Sequence, residues 1–187
     1  MTDKGLACVL NGLATGEKNQ IEKLVVHNNE LGHETIEVLN TSYFEYLQSF
    51  CVGNIKIFND NRKFLLEKIS DKAINLKSLS LKGIDLRHPS EAFTHLINFL
   101  EKKSSYTDLQ TLNLGATNLP TKMLLKLMTV LLESKRNEIT DLNLSYNALN
   151  VNREKEDSLK FMELLATFIR TSRSITHLDL SGMQLGD

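Results

Sequence analysis

A short apolar motif recurs along this chain and limits what the chain can fold into. The motif, LxxLxL, has apolar residues at positions 1, 4 and 6, and clear copies begin at Leu76, Leu109, Ile139 and Ile175. In each of these copies a further leucine follows at position 11. Self-similarity at intervals of about 20 to 50 residues is typical of an array in which each copy forms one structural unit. The sequence therefore predicts a stack of similar units.

Two further copies are predicted in the first part of the chain. One begins at Ile21, with Asn29 at position 9 and Leu31 at position 11. The other is assigned to Val52, Ile55 and Ile57, with Asp60 at position 9 and Arg62 at position 11. The first positions, at 21, 52, 76, 109, 139 and 175, are 31, 24, 33, 30 and 36 residues apart. Intervals of this length leave room for a helix after each strand.

The segments between the motifs are predicted to be helices because their apolar residues recur every three to four positions. The predicted helices cover residues 5–13, 35–50, 62–72, 90–103, 123–134 and 154–171. The expected fold is α/β, a horseshoe-shaped solenoid with a parallel sheet on its concave side and helices on its convex side. We expect residues 1–187 to form a single array of about six strand–helix units without terminal caps, as a segment of a longer chain.

The copies that begin at Ile139 and Ile175, which read ITDLNLSYN and ITHLDLSG, resemble the leucine-rich repeats of the ribonuclease-inhibitor-like, intracellular subfamily. This resemblance covers roughly residues 5–187 and implies a function in protein binding. The long interval that contains the charged insertion 152–157 resembles the irregular repeats of CARMIL-type and tropomodulin-type actin regulators.

Position 9 departs from the pattern of that subfamily, which has asparagine there. In this chain the position reads Asn29, Asp60, Ile84, Thr117, Asn147 and Met183. The asparagine side chain normally bonds backbone groups at the turn, so its absence predicts irregular curvature around Ile84 and Met183.

The residues between the apolar positions form the expected interaction surface. Because side chains alternate along a strand, positions 3, 5 and 7 should project from the concave sheet. Position 3 reads Lys23, Asn54, Ser78, Thr111, Asp141 and His177; position 5 reads Val25, Lys56, Ser80, Asn113, Asn143 and Asp179; and position 7 reads His27, Phe58, Lys82, Gly115, Ser145 and Ser181. All of these except Asn54, Ser78, Gly115 and Ser181 are predicted to contact a partner. Charge changes from basic to acidic along the sheet, which could orient that partner.

Motifs that carry catalysis are absent from the sequence. It contains no GxxxxGK[ST], HExxH, GxSxG, CxxC or GxGxxG segment. The one cluster of titratable residues expected on the sheet joins His177 and Asp179 with Asp141. We favour the interpretation that these residues form an exposed polar ladder, because a flat sheet offers no pocket for catalysis or metal binding. A catalytic or metal site is the alternative. We expect no enzymatic activity, no cofactor and no metal.

The charge balance and the length of the apolar runs argue against two classes of partner, nucleic acids and membranes. The chain has 22 basic and 23 acidic residues, which argues against binding nucleic acid. Its apolar runs are far shorter than the roughly 20 residues of a membrane span.

Cys8 and Cys51 lie in apolar stretches and are expected to be buried thiols, with a disulfide or a nucleophile as alternatives. The amino terminus lacks the pattern of a secretory signal, so we expect a cytoplasmic protein.

These features together predict a non-enzymatic module that binds another protein through the concave sheet or its flank. The first alternative is a structural spacer or scaffold segment of a larger cytoskeletal, ciliary or effector protein. The second is the recognition arm of an enzyme whose catalytic domain lies elsewhere in a longer chain. The sequence specifies neither the partner nor the oligomeric state.

Overall fold

The fold alternates short strands with helices. The computed structural model describes residues 1–14, 21–39, 46–57, 59–106, 109–134, 138–147, 149 and 154–185. In chain order the elements are α1 (Asp3–Ala14), β1 (Lys23–Val25), β2 (Glu30–Leu31), α2 (His33–Leu39), β3 (Ser49–Cys51), β4 (Lys56–Ile57), α3 (Asn59–Lys72), β5 (Ser78–Ser80), α4 (Ser90–Tyr106), β6 (Thr111–Asn113), α5 (Thr121–Glu133), β7 (Asp141–Asn143), α6 (Lys155–Thr171) and β8 (His177–Asp179).

Six of these strands form one parallel sheet in the order β1-β3-β5-β6-β7-β8, which is also their order in the chain. Equivalent positions of neighbouring copies pair directly, as Leu112 does with Leu142. The central residue of each strand is an apolar position of the motif that faces the core, and Leu79 and Leu112 are fully buried. A second parallel sheet joins β2 and β4 through Leu31 and Ile57. The predicted α/β class with a parallel sheet is confirmed.

The second copy of the motif begins five residues earlier than predicted. Strand β3 pairs with β1 and β5 through Phe50, so Leu47, Phe50 and Val52 occupy positions 1, 4 and 6. All three are fully buried. Ile55 and Ile57 therefore belong to positions 9 and 11 of this copy. The prediction was wrong because an apolar residue at position 9 makes positions 6, 9 and 11 repeat the spacing of positions 1, 4 and 6.

Five of the six predicted helices are confirmed to within about three residues at either end. The exception is the helix expected over residues 35–50, because α2 ends at Leu39 and Ser49–Cys51 is a strand. Residues 40–45 of that prediction lie outside the described residues. Consecutive helices pack against one another, and α5 buries Leu124, Leu127 and Met128 against the sheet. Among the described residues, no helix has the length and apolarity needed to cross a membrane.

Position 8 of every copy has a left-handed backbone. The residues there are Asn28, Asn54, Gly83, Ala116, Tyr146 and Gly182, with φ between 49° and 77°. Glycine adopts this conformation without a steric cost, and asparagine does so more readily than most residues. Four of the six positions carry one of these two residue types. Asn54 is at position 8 only if the second copy begins at Leu47. The left-handed backbone of Asn54 therefore supports the corrected assignment independently of the strand pairing.

The turn after β7 is held by a buried asparagine at position 9. Asn147 is fully buried, and its Nδ2 donates to the carbonyl oxygens of Leu114 and Leu144 at 2.7 and 2.9 Å. Its Oδ1 accepts from the main-chain N of Leu119 at 2.9 Å. One side chain thus satisfies main-chain groups of its own copy and of the preceding copy, as the subfamily pattern predicts for this position.

The turn after β5 has a buried apolar side chain, Ile84, at the same position. Its main chain closes through a bond from the N of Ile84 to the carbonyl oxygen of Leu81 at 3.0 Å. Pairing also continues across this turn, where the N of Leu86 donates to the carbonyl oxygen of Thr117 at 2.9 Å. At the Met183 turn the N of Leu149 donates to the Met183 carbonyl oxygen at 3.0 Å. The loss of asparagine does not break main-chain pairing at either turn.

Polar side chains tie the Ile84 turn from outside. The Asp85 carboxylate accepts from Arg87 Nη2 at 2.6 Å and from Asn118 Nδ2 at 3.2 Å. The Arg87 guanidinium, with its main-chain N and the Asn118 amide, lowers the pKa of Asp85 to about 2. Arg62 in α3 donates to the main-chain oxygens of Asp85 and His88. Charged side chains that are partly or largely exposed therefore support the main chain of the Ile84 turn.

Candidate binding surface on the open face of the sheet

The surface that the sequence analysis predicts to bind a partner is the side of the main sheet that carries positions 3 and 5 of each copy, here called the open face. Main-chain pairing places these positions in two continuous columns. The position 3 column is Lys23, Ser49, Ser78, Thr111, Asp141 and His177, and the position 5 column is Val25, Cys51, Ser80, Asn113, Asn143 and Asp179. The structure brings together the predicted residues of five of the six copies.

The second copy supplies different residues from those predicted. Asn54 lies in the turn after β3, and Lys56 belongs to β4, where it pairs with Glu30 in the small sheet. Phe58 lies outside the described residues. Their expected places are taken by Ser49, Cys51 and Gly53, because the motif begins at Leu47.

Two predicted contact residues are not accessible to a partner. Ser80 is 8% exposed and Ser145 is 1% exposed, so both lie beneath the surface. The hydroxyl of Ser145 donates to Asn143 Oδ1 at 2.7 Å, and its main-chain N donates to the same oxygen at 2.9 Å. Ser145 thus supports the open face from below and does not form part of its surface.

A groove of about 540 Å³ lies on the open face over β6, β7 and β8. Its polar lining comes mainly from positions 3 and 5 of these strands, namely Thr111, Asn113, Asp141, Asn143, His177 and Asp179. All six were predicted to contact a partner. The central residues of the same strands, including Leu112 and Leu142, also line the groove. Their side chains are buried on the core side of the sheet, so they contribute main chain to the floor. The carboxyl-terminal half of the open face therefore carries a groove that is flanked by polar side chains.

The position 5 side chains in this groove have fixed orientations. Asn113 Oδ1 accepts from the N of Gly115 at 3.0 Å, and Asp179 Oδ1 accepts from the N of Ser181 at 3.0 Å. Asn143 Nδ2 donates across the strands to Asp179 Oδ2 at 2.8 Å. The hydrogen bonds from Ser181 lower the pKa of Asp179, because they favour its ionised form. These side chains meet a partner already ordered, which reduces the entropic cost of binding.

The predicted pairing of an acid with an imidazole is present at the edge of the groove. His177 Nδ1 lies 3.1 Å from Asp141 Oδ1, and the two side chains are 78% and 43% exposed, respectively. Thr176 Oγ1 lies 2.9 Å from the same ring nitrogen, and Thr140 Oγ1 donates to Asp141 Oδ2 at 2.5 Å. Solvent screens such a pair, which suits a polar contact on an interaction surface better than proton transfer in a closed site.

Metal ligation was the other alternative for this cluster. Within the described part of the chain, no group of three or more His, Cys, Asp or Glu side chains is placed to hold a metal ion. His177 and Asp141 are directed towards each other, while Asp179 is bonded to Asn143 and Ser181. The three residues form two separate polar contacts.

The amino-terminal half of the open face has a different character. Lys23, His27 and Lys82 are exposed there, and Val25 is 46% exposed. Cys51 lies among them and is half-buried. The face therefore changes from basic and partly apolar to acidic along the chain, as predicted.

The expectation for the cysteines was partly wrong. Cys8 is exposed on α1 and Cys51 is half-buried, although both are unpaired as expected. Cys51 is not in the core because the second copy begins at Leu47, which places Cys51 at position 5, on the open face. The sequence analysis did not identify Cys51 as a surface residue. Asn54 is the signal that could have done so, because asparagine favours the left-handed backbone found at position 8.

Comparisons with protein-family models and with curated protein sequences find no match for the chain. The functional interpretation therefore depends on the geometry of the open face.

Proposed function

We propose that the chain is a leucine-rich-repeat solenoid of the ribonuclease-inhibitor-like kind that binds another protein through the open face. In this proposal the six copies form a horseshoe-shaped array, with the open face on its concave side and the helices on its convex side. The protein acts as a non-enzymatic interaction module. Its two unpaired cysteines support a reducing compartment, such as the cytoplasm, as its location.

The observation that carries this proposal is the register of the main sheet. Every copy contributes its third and fifth residues to the same two columns, so six short strands present one continuous surface. Repeat arrays commonly use such an extended surface for recognition. The ordered side chains of the groove over β6, β7 and β8 make its carboxyl-terminal half the stronger candidate for the main contact.

Charge favours a partner of opposite polarity along the face. Lys23, His27 and Lys82 lie towards one end, and Asp141 and Asp179 lie towards the other. A partner with acidic groups over β1 and basic groups over β7 and β8 would be complementary. Complementarity of this kind fixes orientation and speeds association more than it raises affinity.

The proposal is tested with one groove variant and one matched control. Thr111→Arg introduces a long charged side chain into the groove, and Ala166→Arg introduces the same side chain at an exposed position of α6. Asn143→Arg is less suitable because it also removes bonds to Ser145 and Asp179. Circular dichroism establishes that both variants fold like the unchanged chain.

Partners are captured from cell extract with the unchanged chain, and the affinity of each purified partner is then measured. We expect Thr111→Arg to weaken binding by about tenfold or more, since buried unpaired charge is costly at an interface. Ala166→Arg should leave the affinity unchanged. Equal affinities for all three proteins would contradict binding through the groove and would favour the flank or the structural-spacer alternative.

A further inference from the structure

A thiol and an imidazole lie side by side on the amino-terminal half of the open face. Cys51 Sγ is 3.3 Å from His27 Nε2, which is hydrogen-bonding distance for sulfur. Cys51 is at position 5 of the second copy, and His27 is at position 7 of the first. The two side chains therefore meet across neighbouring strands. His27 is exposed, so reagents in solution can approach the pair.

The His27 ring occupies space that is free because Gly53 has no side chain. Gly53 is at position 7 of the second copy, beside His27 in the sheet. A Cβ atom at Gly53 would lie 2.5 Å from His27 Nδ1 and 2.8 Å from its Cε1, which is closer than real contacts allow. The backbone of Gly53 is not left-handed, so its φ does not explain why glycine is needed there. The glycine instead leaves space for the ring, whose Nε2 reaches Cys51.

We propose that Cys51 is a thiol modification site that reacts with small disulfides, with His27 as the base. In the tautomer with its proton on Nδ1, the Nε2 of His27 accepts the thiol proton from Cys51. The sulfur of Cys51 then forms a bond with one sulfur of the disulfide, and the S–S bond of the reagent breaks. The departing thiolate takes the proton from the imidazolium and leaves as a thiol. Cys51 is oxidised to a mixed disulfide while the departing half of the reagent is reduced.

The surroundings of Cys51 favour an anionic disulfide. Val25 and Ser80 flank Cys51 in the position 5 column, and the charged neighbours two residues along these strands are Lys23 and Lys82. The charged side chains placed nearest to Cys51 on the adjoining strands of the described sheet are therefore basic. Their attraction would concentrate a negatively charged reagent at this end of the face.

The chain contains its own reference thiol for the experiment. Cys8 is more exposed than Cys51, so access to solvent alone would make Cys8 react faster. The purified, reduced chain is treated with oxidised glutathione at neutral pH, and the modification of each cysteine is followed by peptide mass spectrometry. We expect Cys51 to be modified about tenfold faster than Cys8, in keeping with assistance by a positioned base. In concentrated urea the two rates should become equal.

Two variants separate the chemistry from the packing. His27→Asn removes the base, and Gly53→Ala keeps both reacting groups but displaces the ring. Each should bring the Cys51 rate down towards the Cys8 rate without changing the Cys8 rate, while Lys122→Ala on α5 should change neither. The proposal is overturned if Cys51 reacts no faster than Cys8 in the unchanged chain. It is also overturned if both folded variants keep the original ratio of rates.

Discussion

The turns after β5 and β7 follow the same backbone path but are stabilised from opposite sides. The turn after β7 is held from within by Asn147, a fully buried amide that bonds main-chain groups of two copies. The turn after β5 has the apolar Ile84 inside and is tied from outside by Asp85 and Arg62. Asparagine at position 9 is therefore one solution to the turn, and an apolar side chain with external polar bonds is another.

The difference shows where each turn is vulnerable. A buried hydrogen-bonding side chain leaves unsatisfied main-chain groups when it is removed, which is costly in the interior. A partly exposed ionic cluster is screened by solvent and contributes less. The turn at Asn147 should thus be sensitive to substitution in the core, and the turn at Ile84 should be sensitive to substitution at the surface and to pH.

The largest effect is expected from Asn147→Leu, which replaces the amide by an apolar side chain of similar size. The carbonyl oxygen of Leu144 and the main-chain N of Leu119 lose their Asn147 partner, and the carbonyl oxygen of Leu114 keeps only the Thr117 hydroxyl. We therefore expect the free energy of unfolding to fall by about 3 kcal/mol. Ile84→Leu is the matched control and should cost about 1 kcal/mol or less. Urea unfolding measures both. Equal losses would show that the two turns are not stabilised differently.

A smaller effect is expected from Arg62→Met, which keeps an unbranched apolar stem but removes the guanidinium. The main-chain oxygens of Asp85 and His88 lose a charged donor, and we expect a loss of about 2 kcal/mol in urea unfolding. Lys122→Met, at an exposed position of α5, should change stability by less than about 0.5 kcal/mol. A loss of stability no greater than that of the control would show that Arg62 does not stabilise this turn.

The smallest effect concerns acid. The folded pKa of Asp85, about 2, is below its ordinary value of 3.8, so the carboxylate stabilises the fold above about pH 4. This contribution is lost as pH falls through the folded pKa. The stability difference between the unchanged chain and Asp85→Asn should be below about 1 kcal/mol at pH 5 and should shrink towards pH 2. A difference that grows on acidification would contradict the network around Asp85.

Much of the fold could be predicted because strict copies of the motif encode strand and core together. The copies at Leu109 and Ile139 have a buried leucine or isoleucine at each of positions 1, 4, 6 and 11, and their strands were predicted in the correct register. The second copy was misassigned because Ile55 at position 9 creates a second LxxLxL pattern. Spacing of apolar residues alone cannot distinguish the two frames. The left-handed position distinguishes them, because it depends on backbone conformation and not on burial.

The candidate site was predictable to the extent that the frame was correct. The polar residues of the groove over β6, β7 and β8 at positions 3 and 5 were predicted from strand alternation, whereas Thr176 at position 2 was not. The contact between Cys51 and His27 was not, since it requires both the corrected frame and the space above Gly53. Ser80 and Ser145 were placed at the correct positions, but their burial depends on the neighbouring side chains. Alternation predicts the direction of a side chain and not how far its neighbours cover it.

The order of strands in the main sheet has a consequence for how the molecule assembles. Among the described strands of this sheet, each pairs only with the copies immediately before and after it in the chain, so none of these pairings joins distant segments. Adding one strand to a formed pair closes a loop of a few dozen residues at most, and the entropy lost in closing a loop grows with its length. Folding can therefore nucleate at any adjacent pair of copies and extend one copy at a time in either direction.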